Sequence, residues 1–366
     1  MRALRIMLVA NDGLSAGHVA RALAIARRLP QRAEHRGICV QLLLVTTSRA
    51  NALMVNEDLA IVQMPSPSSA RRAGFSDLER RHLVRSALEG VASAFSPDVI
   101  VVDTFPSGAH RELAGLGVDH AKRVLVRRAV PKERSTDERL TSGLTDVDLV
   151  IVADDPRAHE ITLPVRSVRV PPITMYEASE ARSRREAREQ LGLGEQGRVV
   201  LIAAGGGGDA DAVARSFEIR DHVARHAQSD TTAVVAEGPI SVAHRTMKPH
   251  VRTIRVAPVQ PLLAAFDGAF APAGYNTAHE LAKAKVPAAL FAQPRPYDDQ
   301  AGRAARFEAA GLAMKLDDID EASIAAALDW MSTARWSACI EAGGADRAAD
   351  AILDLVMGTM PKRREE

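Results

Sequence analysis

The stretch PVQPLLAAFDGAFAPAGYNTAHELAKAKVPAALFAQPRPYDDQAGRAARFEAAGLAMKL, residues 258–316, decides the fold of this chain. Within it an apolar strand pattern at Gly268–Ala271 runs into Gly274, and a helix pattern opens at Tyr275–Thr277. The first turn of a helix leaves backbone N–H groups unpaired and carries a partial positive charge, which suits a diphosphate. Glu280 lies one turn further along, where a carboxylate accepts hydrogen bonds from vicinal ribose hydroxyls. The stretch therefore predicts a nucleotide-binding half of an α/β fold.

A second strand and helix follow in the same stretch. The apolar run Pro287–Phe291 predicts the strand, and Asp299 and Gln300 come at the mouth of the helix after it. Carboxylate and amide groups at such a place suit the hydroxyl groups of a sugar. Gln260 is expected to face a nucleobase, and Tyr275 is expected either to stack near the ligand or to pack in the core.

Taken singly, several of these residues have simpler interpretations. Asn276 and Thr277 are common helix-capping residues, Glu280 fits a capping box, and Gln300 fits a surface position. Their order along one stretch is what favours a ligand site.

That order resembles the donor-binding half of inverting GT-B glycosyltransferases, above all the MurG-like family and its macrolide and plant relatives. Their motifs run P-x-Q, G-x-N-[ST]-x-x-E, G-x-P and P-x-x-x-[DE]-Q-x-x-[NR]-A. The matching residues are Pro258, Gln260, Gly274, Asn276, Thr277, Glu280, Pro287, Pro294, Asp299, Gln300, Arg303 and Ala304. Pro272 stands where plant-type enzymes carry a histidine, and Lys285 stands in place of the usual glycine. Any grip on a diphosphate is therefore expected from backbone amides and Thr277.

The resemblance implies two doubly wound, Rossmann-like α/β domains that face each other across a cleft. We expect an acceptor domain at 1–170, a linker and helix at 171–197, a donor domain at 198–357 and a charged tail at 358–366. The donor substrate would be a nucleotide-diphosphate-sugar, with UDP or dTDP as the expected nucleotide. The acceptor would be a small molecule, a lipid-linked molecule or a glycan, and no metal or other cofactor is expected.

Hydrophobic patterning independently predicts strands alternating with helices in both halves. Expected helices include Gly17–Leu29, stopped by Pro30, and the charged segment Tyr176–Gly194. The segment Pro65–Gly74 is expected to be a loop. Further elements are predicted at Asp77–Phe95, Leu149–Ala153, Thr231–Ala236, Glu321–Thr333 and Trp336–Met357.

The first strand leads into NDGLSAGH, residues 11–18. This element resembles the opening of the acceptor domain of MurG-like glycosyltransferases through Gly17 and His18. With Arg21 it also resembles the G-x-G-H-x-x-R opening of a nucleotide-sugar hydrolase family. A neutral imidazole is suited to take a proton from an acceptor hydroxyl, so His18 is the predicted general base. The alternative is that His18 caps the helix or packs under Ile25.

Asp103 ends the strand pattern VIVVD, residues 99–103. A carboxylate at the carboxyl end of a parallel strand faces the cleft of such a fold. We expect Asp103 to bind the second ring nitrogen of His18 and to orient the imidazole, as in other His–Asp pairs. The alternative is that Asp103 caps the turn that follows it.

A run of four glycines, Gly205–Gly208, follows the first strand of the second half. Without side chains, Gly205, Gly206 and Gly207 would let a ligand approach the backbone, and successive N–H groups would bind an anion. The nearby Asp209 and Asp211 resemble a metal-binding D-x-D pair, but they begin a helix pattern and are interpreted as caps.

Bulk composition excludes several classes of function. The 366 residues carry a net charge of +1, which gives no nucleic-acid footprint. No apolar stretch reaches the ~20 residues of a membrane helix, so we expect a cytoplasmic protein. Cys39 and Cys339 are expected to be buried free thiols. The arginines between Arg71 and Arg85 form a basic stretch, but the loop beside them is rich in Pro and Ser instead of Leu and Phe, which favours a solvated face over membrane contact.

Two rival functions remain open on the sequence alone. One is a nucleotide-sugar hydrolase or epimerase on the same fold, favoured by Gly17, His18 and Arg21. The other is a non-catalytic, nucleotide-sugar-binding auxiliary subunit, favoured by the altered residues 11–16 and Pro272.

Overall fold

The computed structural model describes most of the chain in two α/β domains. The described residues are 2–11, 16–55, 57–155, 163–203, 205–206, 210–226, 231–240, 250–334 and 338–359.

The first domain is built on a parallel sheet of seven strands. Its strands are β1 Leu4–Ala10, β2 Val40–Thr46, β3 Ala60–Gln63, β4 Val99–Asp103, β5 Lys122–Arg127, β6 Leu149–Ala153 and β7 Ser167–Val170. Their order across the sheet is β3-β2-β1-β4-β5-β6-β7. The chain therefore reverses direction across the sheet between β1 and β4, which is where ligands bind in doubly wound folds.

The second domain is built on a parallel sheet of six strands. Its strands are β8 Arg198–Ala203, β9 Thr231–Ala236, β10 Val251–Ile254, β11 Gly268–Pro272, β12 Ala288–Phe291 and β13 Met314–Leu316. Their order is β10-β9-β8-β11-β12-β13. The switch point between β8 and β11 is the counterpart of that between β1 and β4.

Helices cover both faces of both sheets. They are α1 Gly17–Glu34, α2 Asn51–Met54, α3 Pro67–Arg72, α4 Asp77–Phe95, α5 Glu138–Thr141, α6 Arg184–Gln190, α7 Ala210–His226, α8 Tyr275–Lys283, α9 Gln300–Ala309, α10 Glu321–Thr333 and α11 Gly344–Met357. Short 3-10 turns lie at Lys132–Arg134, Leu144–Asp146, Ala178–Glu180 and Gln260–Ala265.

Alternation along β1 shows how the first core is divided. Ile6 and Leu8 face a cluster formed with α1 and α11, whereas Met7 and Val9 face the cluster formed with α4. All four side chains are at most 2% exposed. Because both faces are covered, β1 is apolar along most of its length instead of alternating with polar residues.

The final helix belongs to the first core, although it was predicted within the donor domain at 198–357. Ile352 and Leu353 of α11 are fully buried in the cluster that contains β1 and α1. Asp350 binds Arg32 at 2.8 Å and Arg36 at 2.6 Å, both from α1. Burial of each such aliphatic side chain contributes roughly 1.5–3 kcal/mol, so α11 is held mainly by packing.

Several local predictions were wrong. Pro30 lies inside α1, which continues to Glu34. The charged helix predicted at Tyr176–Gly194 is limited to Arg184–Gln190, and Pro65–Gly74 contains the short helix α3. The last helix begins at Gly344 because Gly343, with φ 80°, precedes it in the left-handed region. Both cysteines are exposed free thiols.

Gly344 marks the tightest contact of α11 with the linker. A Cβ at this position would lie 2.3 Å from the carbonyl oxygen of Pro171 and 2.4 Å from that of Pro172. We therefore expect Gly344→Ala to destabilise the protein by about 1–3 kcal/mol, because backbone atoms have to move. Thermal unfolding will measure the change.

Gly90 is the matched control, because it lies on the exposed face of α4 and a Cβ there would meet nothing within 4 Å. Gly90→Ala is expected to stabilise the protein by roughly 0.5–1 kcal/mol. Equal Tm values for Gly344→Ala and wild type would contradict the close packing of α11 on the linker.

Candidate active site

A cavity of about 520 Å³ lies between the two domains. The first domain contributes the start of α1 and the loop after β4, and the second contributes the loop after β8 and the start of α8. The carboxyl ends of both sheets meet here, as expected for doubly wound domains. Of the predicted site residues that the structure describes, those lining the cavity are His18, Gly205, Gly206, Gln260, Gly274, Tyr275, Asn276, Thr277, Glu280 and Gln300.

The predicted hydrogen bond between His18 and Asp103 is present. His18 Nδ1 lies 2.8 Å from Asp103 Oδ2. The sequence produces this contact because β1 and β4 are neighbours, with Val9 opposite Val102, so the residues that follow them converge. A carboxylate only accepts hydrogen bonds, so Nδ1 donates, and the neutral ring then carries its lone pair on Nε2.

Arg21 is a third member of this cluster. Its Nη2 lies 2.5 Å from Asp103 Oδ2, and its Nε lies 3.3 Å from Oδ1. Burial by itself raises the pKa of the Asp103 carboxyl, but the Arg21 guanidinium and His18 outweigh burial and lower the pKa to about 2. Asp103 is therefore ionised throughout the neutral range.

The N-terminus of α8 opens onto the same cavity without a side-chain cap. Gly274 is the N-cap residue, and the first backbone bond of the helix runs from the Ala278 N–H to the Gly274 carbonyl. Asn276 and Thr277 do not cap the helix. The Asn276 amide instead lies 3.4 Å from the Gly17 carbonyl oxygen and from Arg21 Nη1. The first turn of α8 therefore faces the start of α1 with backbone N–H groups available to an anion.

The glycine loop after β8 lies beside α8. Gly205 has φ 69°, a conformation that favours glycine. Gly238 packs closely against this loop, because a Cβ on Gly238 would lie 2.3 Å from the Gly205 carbonyl oxygen. Gly205 and Gly206 line the cavity, as predicted. The predicted site residue Gly207 lies outside the described residues.

Glu280 faces the cavity and has an altered acidity. Burial raises the pKa of the Glu280 carboxyl to about 7, against the opposing charge of Lys283. Lys283 is itself engaged with Glu177 at 3.2 Å and with Thr174 at 3.0 Å, which limits its effect on Glu280. Glu280 therefore changes charge near neutral pH.

Gln260 and Tyr275 join the second domain to the linker, and Tyr275 also joins it to the first domain. The Gln260 amide donates to the Tyr176 carbonyl oxygen at 2.6 Å and accepts from the Tyr176 N–H at 3.1 Å. The Tyr275 hydroxyl donates to the Asp154 carbonyl oxygen and accepts from the Ile173 N–H. Of the two expectations for Tyr275, core packing is the one observed, since its side chain is only 3% exposed.

Of the two acidic residues before α9, the structure places Asp298, not the predicted Asp299, at the cavity. Asp299 caps α9 through the Gly302 N–H at 2.9 Å and pairs with Arg306, and it does not line the cavity. Asp298 lines it instead. Gln300 binds Asp298 at 3.1 Å and accepts from the Gln293 N–H at 3.0 Å, so its amide supports the cavity wall.

Asp298 belongs to an ion-pair cluster that the sequence analysis missed. Asp298 Oδ1 lies 2.6 Å from Arg128 of the first domain and 2.7 Å from Arg303 of α9. Arg303 also binds Asp155 of the first domain at 2.9 Å and the Ala273 carbonyl oxygen at 2.8 Å. The sequence does carry a signal for this cluster, because Asp155 follows an apolar strand at its carboxyl end, much as Asp103 ends one.

No family model matches the sequence, and no curated protein matches it either. Solved structures, however, match over almost the whole chain. One is a calicheamicin glycosyltransferase, with 19% identity over 99% of this chain and 100% of the other, at a TM-score of 0.60. This chain has the GT-B fold.

Two further GT-B structures show the range of proteins with this fold. A putative UDP-N-acetylglucosamine 2-epimerase from Listeria monocytogenes has 11% identity over 100% of both chains, at a TM-score of 0.64. A spinosyn rhamnosyltransferase complexed with thymidine diphosphate has 15% identity over 97% of this chain and 96% of the other, at a TM-score of 0.59.

The described parts of the chain contain neither a candidate cluster of metal ligands nor a candidate membrane-spanning helix. Those residues contain no group of three His, Cys, Asp or Glu side chains that could hold a metal ion. Within the same ranges, no helix is long and apolar enough to cross a membrane.

The acidity of Glu280 leads to a prediction on stability. Its pKa is raised in the folded protein, so its contribution to stability is present below the pKa of the unfolded chain and is lost as pH rises towards 7. We expect Glu280→Gln to raise stability at pH 8 by on the order of 1–3 kcal/mol, since one pKa unit corresponds to about 1.4 kcal/mol. Thermal unfolding at pH 5 and pH 8 will test this.

The effect of Glu280→Gln should be much smaller at pH 5, where the wild-type carboxyl is largely protonated. Glu89→Gln is a suitable control because Glu89 is exposed on α4 and pairs only with Arg85 in the described structure. A Glu280→Gln effect that does not change between the two pH values would contradict the raised pKa.

Proposed function

We propose that this protein transfers a sugar from a nucleotide-diphosphate-sugar to an acceptor hydroxyl with inversion and without a metal ion. The observation that carries the proposal is the opposition, within one cavity, of the His18–Asp103 pair and the uncapped N-terminus of α8. The GT-B fold and the ordered motif residues at 258–304, which resemble those of MurG-like enzymes and their macrolide relatives, support it.

The donor fits the second-domain side of the cavity. The diphosphate would contact the N–H groups at the start of α8, the Thr277 hydroxyl and the backbone at Gly205–Gly206. Glu280, as a carboxylate, would accept hydrogen bonds from the ribose hydroxyls. UDP and dTDP are the proposed nucleotides, and the thymidine diphosphate complex of the spinosyn rhamnosyltransferase supports the second.

The chemical step needs one base and one site for the leaving group. His18 Nε2 takes the proton of the acceptor hydroxyl as its oxygen bonds to the anomeric carbon, and the bond from that carbon to the diphosphate oxygen breaks. Asp103 stabilises the imidazolium that forms, and the helix dipole of α8 stabilises the charge that grows on the diphosphate. A single displacement of this kind inverts the anomeric centre.

His18→Ala tests the assignment of the base. We expect kcat to fall at least tenfold, because general base assistance contributes about 10²–10⁴ in rate. Affinity for the nucleoside diphosphate should stay near normal, since His18 lies on the first-domain side. Initial rates of nucleotide release with a panel of hydroxyl acceptors measure the effect, and His82→Ala on the exposed face of α4 is the matched control. Unchanged turnover in His18→Ala would rule out the base.

Ligand binding tests the donor site without knowledge of the acceptor. UDP or TDP is expected to stabilise the protein, by about 2.7 kcal/mol at 100 times Kd, whereas uridine and thymidine should have little effect. Gly205→Val should weaken this stabilisation, because a β-branched residue is strained at φ 69°. Gly37→Val is the control, since Gly37 has φ 68° but nothing within 4 Å of its Cβ position. Equal effects of UDP on the two variants would contradict the glycine-loop assignment.

Hydrolysis or epimerisation of the nucleotide sugar is the second candidate. It is favoured by the direct contact of Arg21 with Asp103, because Arg21 completes the G-H-x-x-R element. Incubation with nucleotide sugars and no acceptor separates the candidates: fast nucleotide release or a changed sugar supports this one. Nucleotide binding with no turnover under any condition would support an auxiliary subunit.

A further inference from the structure

A second cavity, of about 490 Å³, lies on the first domain. It is bounded by the segments after β2 and β3 and by helices α3 and α4, and none of its lining residues lines the interdomain cavity. The lining of this second cavity is therefore distinct from that of the proposed transfer site.

Arg80 of α4 gives this cavity an unusual charge. Its side chain is only 2% exposed, yet Nε and Nη1 are buried and form no hydrogen bond in the described part of the chain. A buried guanidinium without a partner is costly, because its lost hydration is not replaced. In the described part of the chain, Arg80 therefore has no hydrogen-bond acceptor for these N–H groups and no ion-pair partner for its positive charge.

The nearby carboxylates do not supply that counterpart. Asp77 and Glu112 act on Arg80 only at a distance, and neither forms an ion pair with it in the described ranges. The Glu112 carboxyl is already bound by the Asn11 side chain and by the His110 N–H. The cavity lining includes Arg49 as a second cation and no acidic residue.

The rest of the cavity wall is largely apolar. It includes Met64, Pro65, Ala70, Phe75 and Leu83. Phe75 is 46% exposed and Leu83 is 44% exposed, so these two side chains leave apolar surface at the rim uncovered. A cation at the inner wall and an apolar rim together define the chemistry of a matching ligand.

We propose that this cavity binds a small amphipathic organic anion. A carboxylate would replace the missing partner of Arg80, through charge-assisted hydrogen bonds. A hydrocarbon body would cover Met64, Phe75 and Leu83. A free molecule fits better than a bilayer surface, because Arg80 is only 2% exposed and a lipid headgroup would have to leave the plane of the membrane to reach it.

Dodecanoate is the probe. Dodecanol is the control that keeps the hydrocarbon body without the charge, and acetate is the control that keeps the carboxylate without the hydrocarbon body. Titration calorimetry below the micelle concentration is expected to show one dodecanoate per chain, with dodecanol and acetate at least tenfold weaker. Absence of dodecanoate binding, or equal binding of dodecanol, would overturn the proposal.

Arg80→Met keeps the shape of the side chain and removes its charge. We expect dodecanoate affinity to fall at least tenfold, while the Tm of the ligand-free protein does not decrease, because an unpaired buried charge is removed. Arg81→Met changes the adjacent, exposed arginine and is expected to leave both quantities unchanged. Equal affinity in wild type and Arg80→Met would refute the role of Arg80.

A second variant tests the cavity itself. Ala73→Trp adds a bulky ring from the exposed rim and is expected to block dodecanoate, with circular dichroism confirming that the protein is folded. Unimpaired binding to Ala73→Trp would place the ligand elsewhere and overturn the proposal. Co-sedimentation with phosphatidylglycerol vesicles that depends on Arg80, without binding of dodecanoate, would assign the cavity to a membrane surface and would also overturn it.

Discussion

The relative position of the two domains depends on a cluster of buried ion pairs. Arg303 is fully buried and binds Asp155 of the first domain and Asp298 of the second, while Arg128 of the first domain reaches the same Asp298. Loss of one partner from such a cluster leaves a buried charge uncompensated, at a typical cost of about 3–5 kcal/mol. The cluster therefore favours one arrangement of the domains over its neighbours, and in that arrangement the start of α8 lies opposite His18.

Arginine contacts, more than burial, decide which acids of the cavity are ionised. Asp103 is buried and Asp298 is largely buried, yet Arg21 with His18 in one case and Arg128 with Arg303 in the other hold their pKa values low. For Glu280, burial raises the pKa by more than the charge of Lys283 lowers it. The proposed chemistry is consistent with this division, because Asp103 has to stay charged to stabilise an imidazolium, whereas Glu280 only has to accept hydrogen bonds from a neutral sugar.

The sequence predicted best the features that depend on local signals. The bounds of α4 agree with Asp77–Phe95 because Ser76 and Glu79 form a capping box, and the bounds of β6 agree because an apolar run ends at acidic residues. The His18–Asp103 contact was expected because Asp103 ends a strand whose carboxyl end faces the cleft and because other His–Asp pairs are arranged in this way. Asp298 could not be separated from Asp299 on local grounds, because arginines distant in sequence determine which of them faces the cavity. The position of α11 also depends on contacts with residues distant in sequence. The pattern at Trp336–Met357 therefore gave no sign that α11 packs in the first core.

The return of α11 to α1 has a consequence for protein engineering. The polypeptide passes between the domains twice, once through 171–197 and again before Gly344, and Arg32 and Arg36 recognise the returning segment through Asp350. A chimera that exchanges the donor half with a relative therefore needs two junctions and must keep residues 344–357 from the parent that supplies the first domain. A single splice would join an α11 and an α1 that did not evolve together, which would leave mismatched apolar surface where the native pair is closely packed.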